Sequence, residues 1–403
     1  MRTLLVVPLV LAGCSAMTEP PDASVDSGTS MDAGLVVDSG SEDAGTDAGG
    51  LDAGHPEDAG TPDAGTPDAG VDVPRQLVFT GGGNLIRVFA FEEDGGLRAL
   101  GQVNAGSGAS FLAADLPRGR LYAVNEGSAQ IAAFAFDARD AGLTLLNRVS
   151  SGGGGPAHVS VDRSGRFVFA ANYGGGSVSV LPVTDAGLAA PTQTIGALGQ
   201  AHQIFSDAAN RFVYAPCKQA DFVAQFAFDG GVLTPLSPPA LDTDDNAGPR
   251  HLALHPTLPR AYLINELSST VQTLAIDAQG RLTSLQTLSS LPSNFAGSNT
   301  GAELVVHPNG RFVFASNRGH QSIVRFSVNA TSGELTLLGH TPTEGNHPRH
   351  FSLDATGRWL LVGNQQSDNV VLFALDDATG ALTSRGVVAT VNDVAFAGFV
   401  TAP

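Results

Sequence analysis

A β-rich run that ends on asparagine, or on a stand-in for it, recurs seven times in this chain. It reads LVFTG at 77–81, LYAVNE at 121–126, FVFAANY at 167–173 and FVYAPCK at 212–218. AYLINE at 261–266, FVFASNR at 312–318 and LLVGNQ at 360–365 complete the set. With Gly81, Asn125, Asn172, Pro216, Asn265, Asn317 and Asn364 as marks, successive runs stand 44 to 52 residues apart. Most are followed by an alternating strand, such as IAAFAF at 131–136 or VVLFAL at 370–375, then a turn and a shorter fourth strand. No segment keeps a 3.6-residue apolar period, so helices are not expected. One such unit cannot bury both of its faces; stacking seven into a ring does. The fold class expected is all-β, a seven-bladed β-propeller of four-stranded blades. The domain opens at Arg75 on the second strand of a blade, and residues 392–400 (NDVAFAGFV) resemble an innermost strand with no blade of its own. The C-terminal strand is therefore predicted to complete the N-terminal blade, leaving no unpaired edge.

Two segments precede this domain. Residues 1–14 (MRTLLVVPLVLAGC) carry Arg2, an apolar stretch too short to span a bilayer, and small residues before Cys14. This resembles a bacterial lipoprotein signal with Leu11, Ala12, Gly13 and Cys14 as its lipobox. The resemblance implies cleavage before Cys14, lipidation of its thiol and, with Ser15 following, residence at the outer membrane, periplasmic or surface-exposed. Residues 15–74 hold fourteen Asp or Glu, no Lys or Arg and no Phe, Tyr or Trp, with Asp-Ala-Gly repeated. Such a segment cannot bury enough apolar surface to offset chain entropy, and is expected to be a disordered tether of roughly 40–50 Å. It carries most of the formal charge of −18, so that charge says little about the domain at 75–403. Membrane association is expected through the lipid alone, with no nucleic-acid partner and a monomeric domain. Cys217 is the single cysteine after Cys14, which excludes a disulfide framework and fits a small buried filler.

Innermost strands line a propeller's channel. Here they are predicted to begin near Ser110-Phe111, Ala157-His158, Ala201-His202, Arg250-His251, Ala302-Glu303, Arg349-His350 and Asp393. A structural channel needs no such set of charges, and unpaired charge in a core is strongly unfavourable. The ends of the repeated runs add Glu126, Tyr173, Asn265, Glu266, Asn317 and Arg318. Together these predict a polar pocket at one mouth, with arginine for an anionic group and His with Glu for proton transfer. His158 and His350 fit equally well as backbone braces between blades, and Glu303 as a structural bridge. His255 and His307, each before a proline, read as turn residues. No metal site and no cofactor is expected. His251 and His255 have HxxxH spacing, but on a strand they stand roughly 13 Å apart. The acidic run 242–246 lacks the glycine and closing glutamate of a calcium loop.

The longest motifs are GPRHLALHP (248–256), INELSSTV (264–271), HPNGRFVFASNRGHQSI (307–323) and HPRHFSLDATGRWLLVGNQQSDNV (347–370), with AANYGGGSVSV at 170–180. In these the domain resembles the seven-bladed propeller lactonases, which include 6-phosphogluconolactonases and carboxymuconate cyclases. The resemblance implies a catalytic set of His202, Arg250, Glu266 and Arg318. His158, His251, Asn265, Glu303, Asn317, Arg349 and His350, at inner-strand starts and strand ends in the repeats, are the candidate substrate contacts. Two features depart from the family. Residues 215–219 (APCKQ) replace an acidic, Gly-containing loop, and the export signal separates the domain from a cytoplasmic phosphorylated lactone. The expected function is metal-independent hydrolysis of a sugar or carboxylated lactone, with Glu266 or His202 as general base. A lactonising cycloisomerase and a non-catalytic surface propeller that binds carbohydrate or protein are the alternatives, since propellers host many functions.

Overall fold

The computed structural model describes residues 76–401. The expected signal, the lipidated Cys14 and the tether lie outside the described residues. Seven antiparallel sheets follow one another along the chain, each with four strands in simple meander order. The third carries an additional two-residue strand, Gly187–Leu188. Among the described residues there is no α-helix, only the single 3₁₀ turns Leu116–Arg118 and Glu126–Ser128.

The ring closes as predicted. Phe396–Thr401 pairs antiparallel with Gln76–Gly82 and becomes the innermost strand of blade 1, ahead of Leu85–Phe91 and Leu97–Asn104. Apolar clusters then join every sheet to the next. Phe79 of blade 1 packs with Phe134 and Phe136 of blade 2. Leu361 and Val370 of blade 7 pack with Val78 and Phe89 of blade 1, which ties last to first. Polar staples reinforce the seams. The hydroxyl of Tyr214 donates to the carbonyl of Gly280 at 2.8 Å, and that of Tyr262 to Gly333 at 2.9 Å, each reaching the following blade. His255 and His307 are turn residues that do the same at 2.9 Å, to the carbonyls of Gly310 and Gly357.

Register places the chemistry. In blades 2 to 7 the second strand ends, at its hairpin to the third, on Asn125, Asn172, Cys217, Asn265, Asn317 and Asn364, and in blade 1 on Gly82. The markers Gly81 and Pro216 are thus each one residue early. A bulge interrupts the innermost strands of blades 3, 5, 6 and 7 at 156/158, 249/251, 301/304 and 348/350. Such a bulge puts two residues opposite one and re-aims both side chains. In blades 5 and 7 these residues are Arg250-His251 and Arg349-His350, and in blade 6 Ala302-Glu303.

Candidate active site

Three tiers of side chains meet at the mouth where the second strands end. The outermost tier is the residue after each strand-end marker: Glu126, Tyr173, Lys218, Glu266 and Arg318 in blades 2 to 6. The second tier includes Ser110, His202, Arg250 and Arg349. The third, deeper in the channel, includes Phe111, His158, His251, Glu303 and His350. The first two tiers enclose a cavity of about 650 Å³, lined among others by Glu126, His202, Arg250, Glu266, Arg318 and Arg349. Beneath it, a void of about 10 Å³ reaches down to His251, Glu303 and His350, with space for about one water.

Glu266 is the hub. Its Oε1 lies 2.7 Å from Lys218 Nζ, and its Oε2 lies 3.1 Å from Arg250 Nε and 3.2 Å from Arg318 Nη2. Burial pushes the Glu266 carboxyl up, but Arg250, Arg318 and Lys218 outweigh it and hold the group below the usual carboxylate range. Backbone carbonyls fix the guanidinium groups: Arg250 donates to Ala302 and Arg318 to Gly301. Arg250 is only 3 % exposed. Burial, followed by repulsion from Arg318, lowers its pKa to about 9, so it stays charged at neutral pH. The Nε atoms of Arg250 and Arg318 are buried without an aligned hydrogen-bond partner. The contact of Arg250 with Glu266 is therefore an ion pair in distance but not a directed hydrogen bond. Lys218 also donates to the Tyr173 hydroxyl at 3.2 Å.

Arg349 is different. It stands 3.6 Å from Glu126, whose Oε1 already accepts the Ser110 hydroxyl, and among the described residues no closer acceptor engages it. Its donors are available to the cavity. The mouth thus gathers Arg250, Arg318, Arg349 and Lys218 against Glu126 and Glu266. His202 sits beside this cluster with Nδ1 buried and unpartnered. Burial first, then Arg250, His251, Arg349 and Arg318, push it well below the ordinary histidine range, so its imidazole is neutral at pH 7.

The deeper tier forms its own network. His251 Nδ1 is 2.8 Å from Glu303 Oε1, and His350 Nε2 is 3.4 Å from Glu303 Oε2. Burial raises the Glu303 pKa and lowers those of His251 and His350, the last to about 4. His350 also meets the carbonyl of Ala397 at 2.9 Å, bridging blade 7 to the closing strand. His158 accepts weakly from the Ile204 amide at 3.5 Å and packs on Phe111.

Of the residues singled out from sequence, His202, Arg250, Glu266, Arg318 and Arg349 converge on the cavity. His251, Glu303 and His350 border only the narrow void below it, and His158 borders neither. Asn265 and Asn317 are corrected: both are fully buried and face into the blades. Asn265 donates to the Thr270 hydroxyl, and Asn317 bonds to Ser290 and Asn299. Neighbours on a strand point to opposite faces, so the asparagine beside a pocket-facing Glu266 or Arg318 must point away. Asp393 is also displaced; it lies exposed in a turn, and Phe396 opens the closing strand. Lys218 was missed as a site residue. Its signal was its place in the repeat, one residue after the strand-end marker, like Glu266 and Arg318.

Comparison with known proteins agrees with this fold. The family described as "Lactonase, 7-bladed beta-propeller" matches residues 74–396. The chain belongs to that family. It is 34% identical over 306 residues to a 6-phosphogluconolactonase of Serratia proteamaculans, covering 74% of this chain and 90% of that one. Against the 6-phosphogluconolactonase of Bacillus subtilis the identity is 33% over 313 residues, covering 73% and 89%. Among solved structures it is similar to the periplasmic gluconolactonase PpgL of Pseudomonas aeruginosa. That match has a TM-score of 0.77 and 29% identity over 81% of this chain and 99% of that one. The propeller lactonase fold and a lactonase-type function are thus supported by sequence and structure together.

Proposed function

We propose that the domain hydrolyses a sugar lactone at the mouth formed by blades 2 to 7, without a metal ion. The observation that carries this reading is the cation cluster gathered on Glu266, with neutral His202 beside it and the unspent donors of Arg349 opposite. The lactone carbonyl points toward Arg250 and Arg318, where the oxyanion formed on attack meets fixed positive charge in a buried site. His202 takes a proton from the attacking water as the new carbon–oxygen bond forms. It returns the proton to the ring oxygen as the ring carbon–oxygen bond breaks, giving an open hydroxy acid. Lys218, Arg250 and Arg318 take up both oxygens of Glu266, so its role is to anchor them. Arg349 holds a carboxylate or phosphate carried by the substrate.

Two names among the similar proteins support this choice: 6-phosphogluconolactonase and periplasmic gluconolactonase. The N-terminal sequence supports placement in the cell envelope on a lipidated Cys14, with residues 15–74 as the tether. The test is proton release at constant pH by residues 75–403 against glucono-1,5-lactone, its 6-phosphate and acyl lactones, with and without chelator. Turnover of sugar lactones that survives chelation is expected. No turnover above the spontaneous rate, or loss of turnover to chelator, would sink the proposal.

A further inference from the structure

The main cavity has an annex. A second groove, of about 350 Å³, shares Tyr173 and Gly174 with it and runs across the seam between blades 3 and 4, past Gly176 and Gly199 to Gln200 and Gln219. The two spaces differ in chemistry. The main cavity is walled by arginine and carboxylate, whereas no charged side chain lines the annex. Its floor is nearly bare backbone. Gly174 and Gly175 are exposed, and their amides are spent on the carbonyls of Gly155 and Gly154 at 3.3 and 2.8 Å. Side chains there are excluded sterically. A Cβ on Gly175 would lie 2.5 Å from the Gly154 nitrogen, and one on Gly199, where φ is +48°, would lie 2.8 Å from Ala220 Cβ. The groove is therefore kept open by how the loops pack. Around it stand the Tyr173 ring and the side-chain amides of Gln200 and Gln219, which have no hydrogen-bond partner among the described residues. The Tyr173 ring, with Lys218 Nζ 5.6 Å from its centroid, and two free side-chain amides suit a neutral polyhydroxyl group, which offers both donors and acceptors.

We propose that this annex is a subsite for a glycosyl substituent, so that the preferred substrate is an aldonolactone carrying a second sugar. This rests on the lactone reading above and extends it. The lactone ring occupies the charged cavity, where its carboxylate develops, and the uncharged sugar lies along blades 3 and 4. Gln219 is the residue to alter, because it is exposed and outside the catalytic cluster. Gln219→Trp fills the groove.

Rates are measured for maltobiono-1,5-lactone and glucono-1,5-lactone with wild-type and Gln219→Trp protein. The wild type is expected to favour the glycosylated lactone in kcat/KM. The variant is expected to lose at least about tenfold on it while staying within about twofold on gluconolactone. Equal wild-type kcat/KM for the two lactones, or equal loss on both in the variant, would overturn the subsite. Calorimetric titration with maltobionate and gluconate separates this failure from failure of the lactone reading. If neither lactone is opened, tighter binding of maltobionate that disappears in Gln219→Trp still establishes the subsite. Equal affinity for the two acids overturns it.

Discussion

Replacing Glu266 with glutamine keeps the shape of the side chain and removes the one anion shared by Lys218, Arg250 and Arg318. At the three separations of 2.7, 3.1 and 3.2 Å, each pair contributes roughly 5–6 kcal/mol of gross attraction at an effective dielectric of about 20. Most of that offsets desolvation of the four charges, two of them buried and two partly so, and the mutual repulsion of the cations. The net loss expected is about 3–5 kcal/mol, the usual result of breaking a buried ion pair from one side. For a domain of this size it lowers Tm by roughly 4–7 °C. The sign of the pH dependence follows from the depressed pKa. A carboxyl depressed in the fold contributes stability above its unfolded pKa, and that stability is lost as pH falls through the folded value. The gap in Tm between wild type and Glu266→Gln is therefore widest at neutral pH and closes only in acid, below the ordinary glutamate range. Thermal unfolding of both proteins from pH 7 down to pH 3 measures this. Equal Tm at pH 7, or a gap independent of pH, would show that Glu266 does not anchor the cluster.

Three further outcomes are expected. Arg349→Ala raises KM for 6-phosphogluconolactone by roughly tenfold or more and changes that for gluconolactone little, since only the former brings an anion to the unspent guanidinium; equal effects would reassign Arg349. Burial raises the Cys217 thiol to about 12, so iodoacetamide at pH 8 labels it only after unfolding; rapid labelling of the native protein would contradict its placement. Deleting the closing strand from residue 396 onward exposes the edge of Gln76–Gly82 and is expected to abolish cooperative thermal unfolding; a deletion variant that melts like wild type would deny that this strand closes the ring.

The ring itself was readable in the sequence because it is repetitive. A spacing of 44 to 52 residues and an unpaired terminal strand leave few ways to close a sheet. A polar mouth followed from aligning the repeats, since equivalent positions in a ring share a height above the channel; the choice of His202, Arg250, Glu266 and Arg318 within it came from the family resemblance. What the repeats hid was orientation. The strand period of two should have excluded Asn265 and Asn317, whose neighbours Glu266 and Arg318 claim the pocket face. The split of Arg250 from His251, one in the cavity and one below, depends on a bulge that no composition signal marks. Lys218 was obscured by the Pro216 marker, one residue out of register with Asn265. The loop that departs from the family pattern turns out to supply a cation to the shared carboxylate.

The most direct measurement is the rate of gluconolactone opening by His202→Gln against wild type, followed by proton release from pH 5 to 8. His202 is held neutral well below its ordinary pKa. Wild-type kcat is thus expected to stay level across this range and fall only in stronger acid. His202→Gln is expected to lose about 10²–10⁴-fold in kcat at unchanged Tm. Equal rates in a folded variant would contradict the assignment of the water-activating step to this mouth of the ring.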